Sequence, residues 1–597
     1  LKRAGNWTLR VSKNPELETH GRMEEPEGKW KYFQGPWIPV LVAVLYGGFY
    51  AMAFPPVDSF ETAFLFVIPF ILWAALRPSW FSYGLAAYLG SWGAWIFLLS
   101  WLRHVPSAAD MPAPLLIGWG LVLLVSSLVA LIPAAWLLSV RWVLPRIQYR
   151  PLSERIGGMV VLACFWVVLE WVRTWFLFGF PWLPLSASQW RNPVLLQIAA
   201  YTGAYGISFL LILINLGIAF YIRKIVTARR GTKWFQRFCP EFYVSLGALL
   251  LVLILYAQGI PKAGEVAPAF RAGVVQPAVP QRYKWEAGEA RENLRVLQRQ
   301  TRLINALDPD VLLWPESATP NPVIGTHNLR DWIEDLAAEL DTPLLMGNLA
   351  EESEGLWYNG IFGVEPEKGL VEPYYKKRKL VPFGEYVPFR EWIPFLDKFV
   401  PIESDFTAGT EPTLVPLTIN HKKWNVGGLV CYEDIFPGLA RELTRQGAEF
   451  FFVATNNGWY GREGAAYQHA THSVLRAVEN GRPVLRTGND GWSGYIDERG
   501  HRRNIILNEN NTIYFRGGSV MEIYRNRVMS RQFTFYSRHG DWFVWLSILL
   551  CTGAFFFFRR IDPGQSPKKE DSDLLPQVGL TTRRIIRDSP RRDSGDT

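Results

Sequence analysis

Three short stretches of this chain carry side chains capable of covalent chemistry. Glu316 ends the run Leu312-Leu313-Trp314-Pro315-Glu316. A basic stretch, Tyr375-Lys376-Lys377-Arg378-Lys379, leads into Leu380-Val381-Pro382-Phe383-Gly384-Glu385. Cys431 follows Gly427-Gly428-Leu429-Val430 and precedes Tyr432-Glu433. Each has a plain structural reading: a solvated edge carboxylate, a basic surface turn, a small buried hydrophobe. Together they supply what thiol catalysis requires. A cysteine nucleophile needs a base for its proton and a cation for the developing oxyanion. The residue types leave open which of Lys376, Lys377 and Lys379 is that cation. No Ser-His-Asp arrangement competes. His469 and His472 stand three apart on a helical pattern without a third ligand, so a structural role is expected for them. No zinc spacing, P-loop or glycine-rich dinucleotide fingerprint is present, and neither metal nor cofactor is expected.

The elements around these residues alternate between strand and helix. Strands are predicted at 269–276, 311–314, 425–431, 449–455, 484–487, 494–496, 512–515 and 519–523. Helices are predicted at 286–307, 435–446 and 466–480. This rhythm implies an α/β layered domain. Glu316 and Cys431 both follow apolar strands, where the active sites of such domains gather.

The rest of the 597-residue chain is of another kind. Overall 49% of residues are hydrophobic, with 27 Trp, and the apolar ones crowd into the first part and a stretch near the C-terminus. A bilayer span needs about 20 apolar residues. Spans are predicted at 37–54, 61–77, 82–102, 114–140, 157–178, 201–223, 241–260 and 542–558. The predicted organisation is therefore a cytoplasmic arm (1–36), a seven-span membrane domain (37–262), an extracytoplasmic domain (265–535), an eighth transmembrane helix (542–558) and a disordered cytoplasmic tail (559–597).

Charge sets the orientation. The arm carries Lys2, Arg3, Arg10, Lys13, Arg22, Lys29 and Lys31. The loops after the fourth and sixth spans carry Arg141, Arg146, Arg150, Arg155 and Arg223, Lys224, Arg229, Arg230, Lys233, Arg237. The alternate loops hold little beyond Arg103 and Arg191. The positive-inside rule puts both termini in the cytoplasm and the 265–535 region on the opposite face. The net charge of +8 is accounted for by this topology and by anionic lipid, so no nucleic-acid partner is expected. Of the four cysteines, Cys431 alone lies in the exported region, so no internal disulfide can form there.

Glu, Lys and Cys in this order and in these surroundings resemble the carbon–nitrogen hydrolase (nitrilase) superfamily. From about residue 37 to 560 the chain resembles its membrane branch, the apolipoprotein N-acyltransferase family. The resemblance rests on Trp314-Pro315-Glu316, Leu380 to Glu385, Cys431-Tyr432-Glu433 and Asn456-Asn457-Gly458-Trp459-Tyr460-Gly461. In the membrane part, Gly179-Phe180-Pro181-Trp182-Leu183 and Gly203-Ala204-Tyr205-Gly206 are also similar. It implies eight spans with an αββα sandwich between the last two. It implies Glu316 as general base, Cys431 as acylated nucleophile and Lys377, eight residues before Glu385, as the oxyanion cation. Glu385 would orient Lys377, while Trp285, Asn359, Tyr432 and Glu433 match positions that shape the site. One departure stands out: Lys379 occupies a place where the family often has His. A second cation there is expected to depress the pKa of Lys377 or shift the oxyanion geometry.

The implied reaction is acyl transfer in a bacterial inner membrane, with the catalytic domain on the periplasmic or outer face. Cys431 would take the sn-1 acyl chain of a phospholipid, expected to be phosphatidylethanolamine, and pass it to the N-terminal amine of an S-diacylglyceryl-cysteine apolipoprotein. Aromatic stretches at Phe176 to Trp182 and Tyr386 to Phe399, including Phe389, Trp392 and Phe395, fit a lipid-facing mouth. A membrane-bound amidase with the same triad is the alternative; a non-enzymatic transporter or scaffold is opposed by the intact Glu316, Lys377 and Cys431.

Overall fold

The computed structural model describes residues 35–176, 179–228, 238–284, 286, 288–353, 355–390 and 405–561. The arm before residue 35, the tail after 561, Trp285, Trp392 and Phe395 lie outside the described residues.

Among the described residues five helical stretches are long and apolar enough to cross a membrane: Pro114–Ile147, Leu152–Val172, Ala204–Thr227, Pro240–Gln258 and Met529–Arg559. A sixth arises if Trp80–Leu98 and Ser100–Ala108, bent by 51°, count as one span. Eight were expected from the sequence. The shortfall lies in the first two apolar runs. The first forms only the 15-residue helix Ile38–Met52, cut short ahead of Pro55-Pro56. At 1.5 Å per residue it rises roughly 22 Å, less than the ~30 Å hydrocarbon core. The second splits into a 3₁₀ turn, Phe60–Phe64, and the seven-residue helix Ile68–Ala74. Leucines and isoleucines on Pro240–Gln258, such as Leu251 and Ile254, point outward, as lipid-facing positions do.

The region after residue 265 contains β1 (Val266–Gln276), β2 (Val311–Trp314), β3 (Leu344–Ser353), β4 (Leu356–Glu365), β5 (Gly369–Lys376), β6 (Leu414–Ile419), β7 (Lys422–Val430), β8 (Phe450–Thr455), β9 (Val484–Gly488), β10 (Gly494–Ile496), β11 (Arg502–Arg503) and β12 (Gly517–Asn526). They form two six-stranded sheets, ordered β12-β1-β2-β3-β4-β5 and β11-β10-β9-β8-β7-β6. In each, three central strands run parallel: β1-β2-β3 and β7-β8-β9. The sheets pack face to face, with Phe270 of β1 against Trp424 and Phe450 of the other sheet. Helices Ala290–Asn305 and His327–Leu340 cover the first sheet through Leu297, Ile304, Leu329 and Ile333. Helices Pro437–Arg445 and Ala465–Asn480 cover the second. The layered α/β reading is met as an αββα sandwich.

Two local differences have physical causes. No strand forms at 512–515, because the Asn508 side chain accepts from the backbone N–H of Asn510 and Thr512 and closes a turn there. Strands β3 to β6 have no counterpart among the sequence expectations. Most of β3 and β4 is buried on both faces, so the alternation that marks a half-exposed strand is missing.

Candidate active site

The parallel strands of both sheets end on one side of the sandwich, and the reactive side chains sit at those ends. Cys431 follows β7 and opens the short 3₁₀ turn Cys431–Ile435. Its φ of +50° is a left-handed conformation that costs a side-chain-bearing residue about 1–3 kcal/mol. Surrounding bonds hold it there. Glu433 accepts from the Val430 N–H at 2.8 Å, and His469 Nε2 lies 3.0 Å from the Cys431 carbonyl oxygen. Thr455 Oγ1 donates to Cys431 Sγ at 3.3 Å. The thiol is buried. Burial first, and then the Glu316 carboxylate, push its pKa up to about 12 against the opposing pull of Lys377. It therefore rests as a neutral thiol and needs a base within the site.

Glu316 stands two residues beyond β2, after Pro315. Its Oε1 accepts from Asn359 Nδ2 at 3.0 Å and lies 3.5 Å from Lys377 Nζ. Lys377 is completely buried and donates to Glu385 Oε1 at 2.8 Å. Asn359 Nδ2 also donates to Glu385 Oε1 at 3.0 Å, while Glu385 Oε2 accepts from the Val381 N–H. The Lys377 N–H donates to the Asn359 carbonyl at 2.7 Å, which fixes the lysine at the end of β5 beside β4. Burial alone would lower the Lys377 pKa. The Glu385 and Glu316 carboxylates outweigh it and hold the group well above the usual lysine value, a permanent cation. The depression expected from Lys379 is not found, because its ammonium lies over the Phe436 ring, 5.3 Å from the centroid.

The structure thus brings Glu316, Lys377, Cys431, Asn359 and Glu385 into one buried constellation. Glu433 and Tyr432 act at one remove. Glu433 accepts from the Tyr375 hydroxyl and from the backbone N–H groups of Arg378 and Lys379, clamping the lysine-bearing segment onto the cysteine turn. The Tyr432 hydroxyl donates to the Gly179 carbonyl at 2.9 Å, a contact with the membrane part.

Two residues that sequence reasoning missed also belong here. Lys284 is buried, donates to the Glu316 carbonyl at 2.9 Å and has its pKa lowered to about 8, by burial first, with Glu316 and Cys431 opposing. Its signal was its place beside Trp285 after a strand, too slight to separate it from a surface lysine. Gln468 joins the membrane part to the helix behind the cysteine. Its Oε1 accepts from Trp101 Nε1 at 3.1 Å and Trp182 Nε1 at 2.9 Å, and its Nε2 donates to the carbonyls of Pro55 and Leu98. Trp182 also lies against His469 and His472, with ring centroids 5.5 and 5.7 Å apart. The two histidines are buried neighbours of the cysteine turn, and among the described residues no group of three His, Cys, Asp or Glu side chains is placed to hold a metal ion. Trp175, Phe176, Phe383 and Phe389 expose half or more of their surface.

Residues 46–217 match the apolipoprotein N-acyltransferase N-terminal domain, and residues 271–522 match the carbon–nitrogen hydrolase domain. The apolipoprotein N-acyltransferase of Geobacter metallireducens is 32% identical over 518 residues, covering 85% of this chain and 93% of that protein. That of Azotobacter vinelandii is 31% identical, covering 78% and 86%. A solved carbon–nitrogen hydrolase from Helicobacter pylori superposes with a TM-score of 0.32 at 16% identity, covering 44% of this chain and 90% of that one.

Proposed function

The chain belongs to the apolipoprotein N-acyltransferase family, and we propose that it acylates lipoproteins through a thioester on Cys431, with Glu316 as base and Lys377 as the oxyanion cation. It is a membrane acyltransferase of the carbon–nitrogen hydrolase superfamily. Glu316 takes the Cys431 proton as the sulfur adds to the sn-1 ester carbonyl of a phospholipid. The resulting oxyanion forms against the Lys377 ammonium. Collapse expels the glycerol oxygen, which takes the proton from Glu316, and a lysophospholipid leaves an acylated Cys431. The α-amine of S-diacylglyceryl-cysteine then attacks the thioester and gives its proton to Glu316. Collapse returns the sulfur, reprotonated from Glu316, and releases the amide.

The carrying observation is the buried Cys431 thiol in one site with the Glu316 carboxylate and the Lys377 ammonium, on a turn whose Tyr432 is bonded to the membrane part at Gly179. A thioester that must outlast water until a second lipid arrives requires such enclosure. We place the donor as phosphatidylethanolamine and the membrane as the bacterial inner membrane. Eight crossings, including the short helices Ile38–Met52 and Phe60–Ala74, would put both termini in the cytoplasm and the sandwich on the periplasmic face, as the Lys/Arg asymmetry supports.

The test is stoichiometric. Incubated with phosphatidylethanolamine alone, purified protein should release at most one equivalent of lysophospholipid and gain the mass of one acyl group on Cys431. A diacylglyceryl peptide with a free amine should restart turnover, and its N-acetylated form should not. Continuous fatty-acid release without acceptor would overturn transfer in favour of hydrolysis.

A further inference from the structure

The reactive centre holds two carboxylates, Glu316 and Glu385, but the mechanism above uses one cation. Lys377 lies 2.8 Å from Glu385 and 3.5 Å from Glu316, so a single ammonium serves both. All of these groups are buried, where an unbalanced charge is costly. With Lys377 alone, the site would carry a net negative charge before the reaction began. Forming a thiolate and then an oxyanion in that field would be opposed at each step.

Lys284 restores the balance. It lies just after the short 3₁₀ turn Gln281–Tyr283 beyond β1, and its ammonium is 2.9 Å from the backbone oxygen of Glu316. The turn is anchored at the ends of the parallel strands. Gln281 accepts from Asn456 Nδ2 at 2.5 Å, Asn489 Nδ2 donates to Asn456 Oδ1, and Asn489 exchanges hydrogen bonds with the backbone of Val279. The lysine is therefore held by the ends of β8 and β9, in the same sheet whose β7 carries the thiol. The bond to the Glu316 carbonyl also fixes the turn presenting the base, since Ser317 next to it has a φ of +45°.

We propose that Lys284 is a positioning residue of the acyl-transfer centre, whose charge offsets the second carboxylate and whose bond to the Glu316 backbone holds the base toward the thiol. It need not touch substrate. The proposal rests on Glu316 and Cys431 acting as described above. Among the described residues the titratable groups coupled to it are those two, and Glu316 in turn faces Lys377, which pairs with Glu385. Because Lys284 has its pKa lowered to about 8, its charge is present below that pH and lost above it. The centre then becomes net negative and thioester formation slows.

The experiment uses full-length protein in phosphatidylethanolamine-containing mixed micelles. The single-turnover rate of Cys431 acylation is followed by mass spectrometry from pH 5 to 10. No diacylglyceryl-peptide acceptor is present, so its α-amine does not titrate in the assay, and the donor's own headgroup amine is common to wild type and variants. Wild type should show an alkaline decline centred at about pH 8. Lys284→Arg, whose charge does not titrate in this range, should keep activity and lose the decline. Lys284→Met should acylate at least ~10-fold more slowly, with its acid limb moved up by about one unit, the size of effect expected from removing a neighbouring charge. A wild-type rate flat through pH 10 overturns the proposal without reference to any variant. So does Lys284→Met at the wild-type rate, or with a slowed rate but unshifted limb. If phospholipid does not acylate Cys431 at all, the transferase reading fails instead. Iodoacetamide labelling of Cys431, mapped by peptide mass across the same pH range, then tests Lys284 alone: loss of the difference between wild type and Lys284→Met overturns it.

Discussion

Two buried ionic clusters lie on either side of the cysteine turn, and they are built from different cations. On the reactive side, Glu316 and Glu385 share the Asn359 amide and face Lys377, with Lys284 behind. On the opposite side, Asp434 accepts from Ser473 and Arg486 at 2.5 Å each and lies 2.9 Å from His469 Nε2. Beside it Arg476 forms a bidentate pair with Glu479 at 2.7 and 2.9 Å and donates to the carbonyls of Asp434 and Ile435. Arginine does not give up its proton in proteins, and its fork fixes the carboxylate geometrically. Asp434 is accordingly held well below the usual carboxylate range: burial opposes this, but His469 and Arg486 outweigh it. Lysine is a point charge that leaves carboxylate oxygens open to other partners. A site that must pass a proton between sulfur, carboxylate and substrate is served by the lysine arrangement. A site that must hold a strained turn still is served by the arginine one.

This contrast predicts different consequences for the two sides. The largest effect belongs to Cys431→Ser, which should insert and fold yet form no thioester and transfer no acyl chain in membranes lacking wild-type enzyme. Substantial residual transfer would remove Cys431 from the reaction. Glu316→Gln comes next, slowing thioester formation by about 10²–10⁴-fold, the usual weight of general-base catalysis, with thermal unfolding nearly unchanged. On the other side of the turn, Arg486→Met should behave in reverse. Breaking a buried pair by removing one partner costs about 3–5 kcal/mol of stability, visible as a lowered unfolding temperature in detergent. Acylation per folded molecule should fall less than tenfold. An Arg486→Met protein of native stability that cannot acylate would erase the distinction between the clusters.

The smallest effect tests the seam with the membrane part. Tyr432→Phe removes one hydrogen bond, to the Gly179 carbonyl, and keeps the ring packed on Phe436. A loss of about 0.5–1.5 kcal/mol is expected. It should appear as a few-fold rise in free fatty acid released per transfer event, since the wall that shields the thioester is loosened. An unchanged ratio of hydrolysis to transfer would mean that this contact does not help exclude water.

Parts of this were legible in the residues and parts were not. Apolar run lengths revealed the membrane character, but not how the first two runs are broken. Pro55-Pro56 was visible in the sequence, whereas the split of the second run into a 3₁₀ turn and a seven-residue helix depends on packing around Asn215, which donates to the Ala63 carbonyl and lies 3.4 Å from the Val67 N–H. The central strands of the second sheet were readable because they end at recognisable turns. Strands β3 and β4 were not, since much of their length is buried on both faces.

The sequence by itself determined that one thiol lies in the α/β region, that a carboxylate and a lysine-rich turn accompany it, and that long apolar stretches flank them. These follow from composition and order, which need no coordinates. The residue types left three lysines, the resemblance pointed to Lys377 by its spacing from Glu385, and only the tertiary structure supplied the physical reason. Lys376 turns to the surface to pair with Glu352 at 2.7 Å, Lys379 lies over Phe436, and Lys377 alone of the three is completely buried between Glu316 and Glu385. Successive residues at a strand end point to opposite sides, so neighbours of one chemical type receive opposite environments. The same holds for Lys284 and Gln468, polar side chains whose partners are supplied by segments more than 30 and 280 residues away. A lysine's proton affinity and a glutamine's hydrogen bonds are set by what surrounds them, and that is decided when the chain folds.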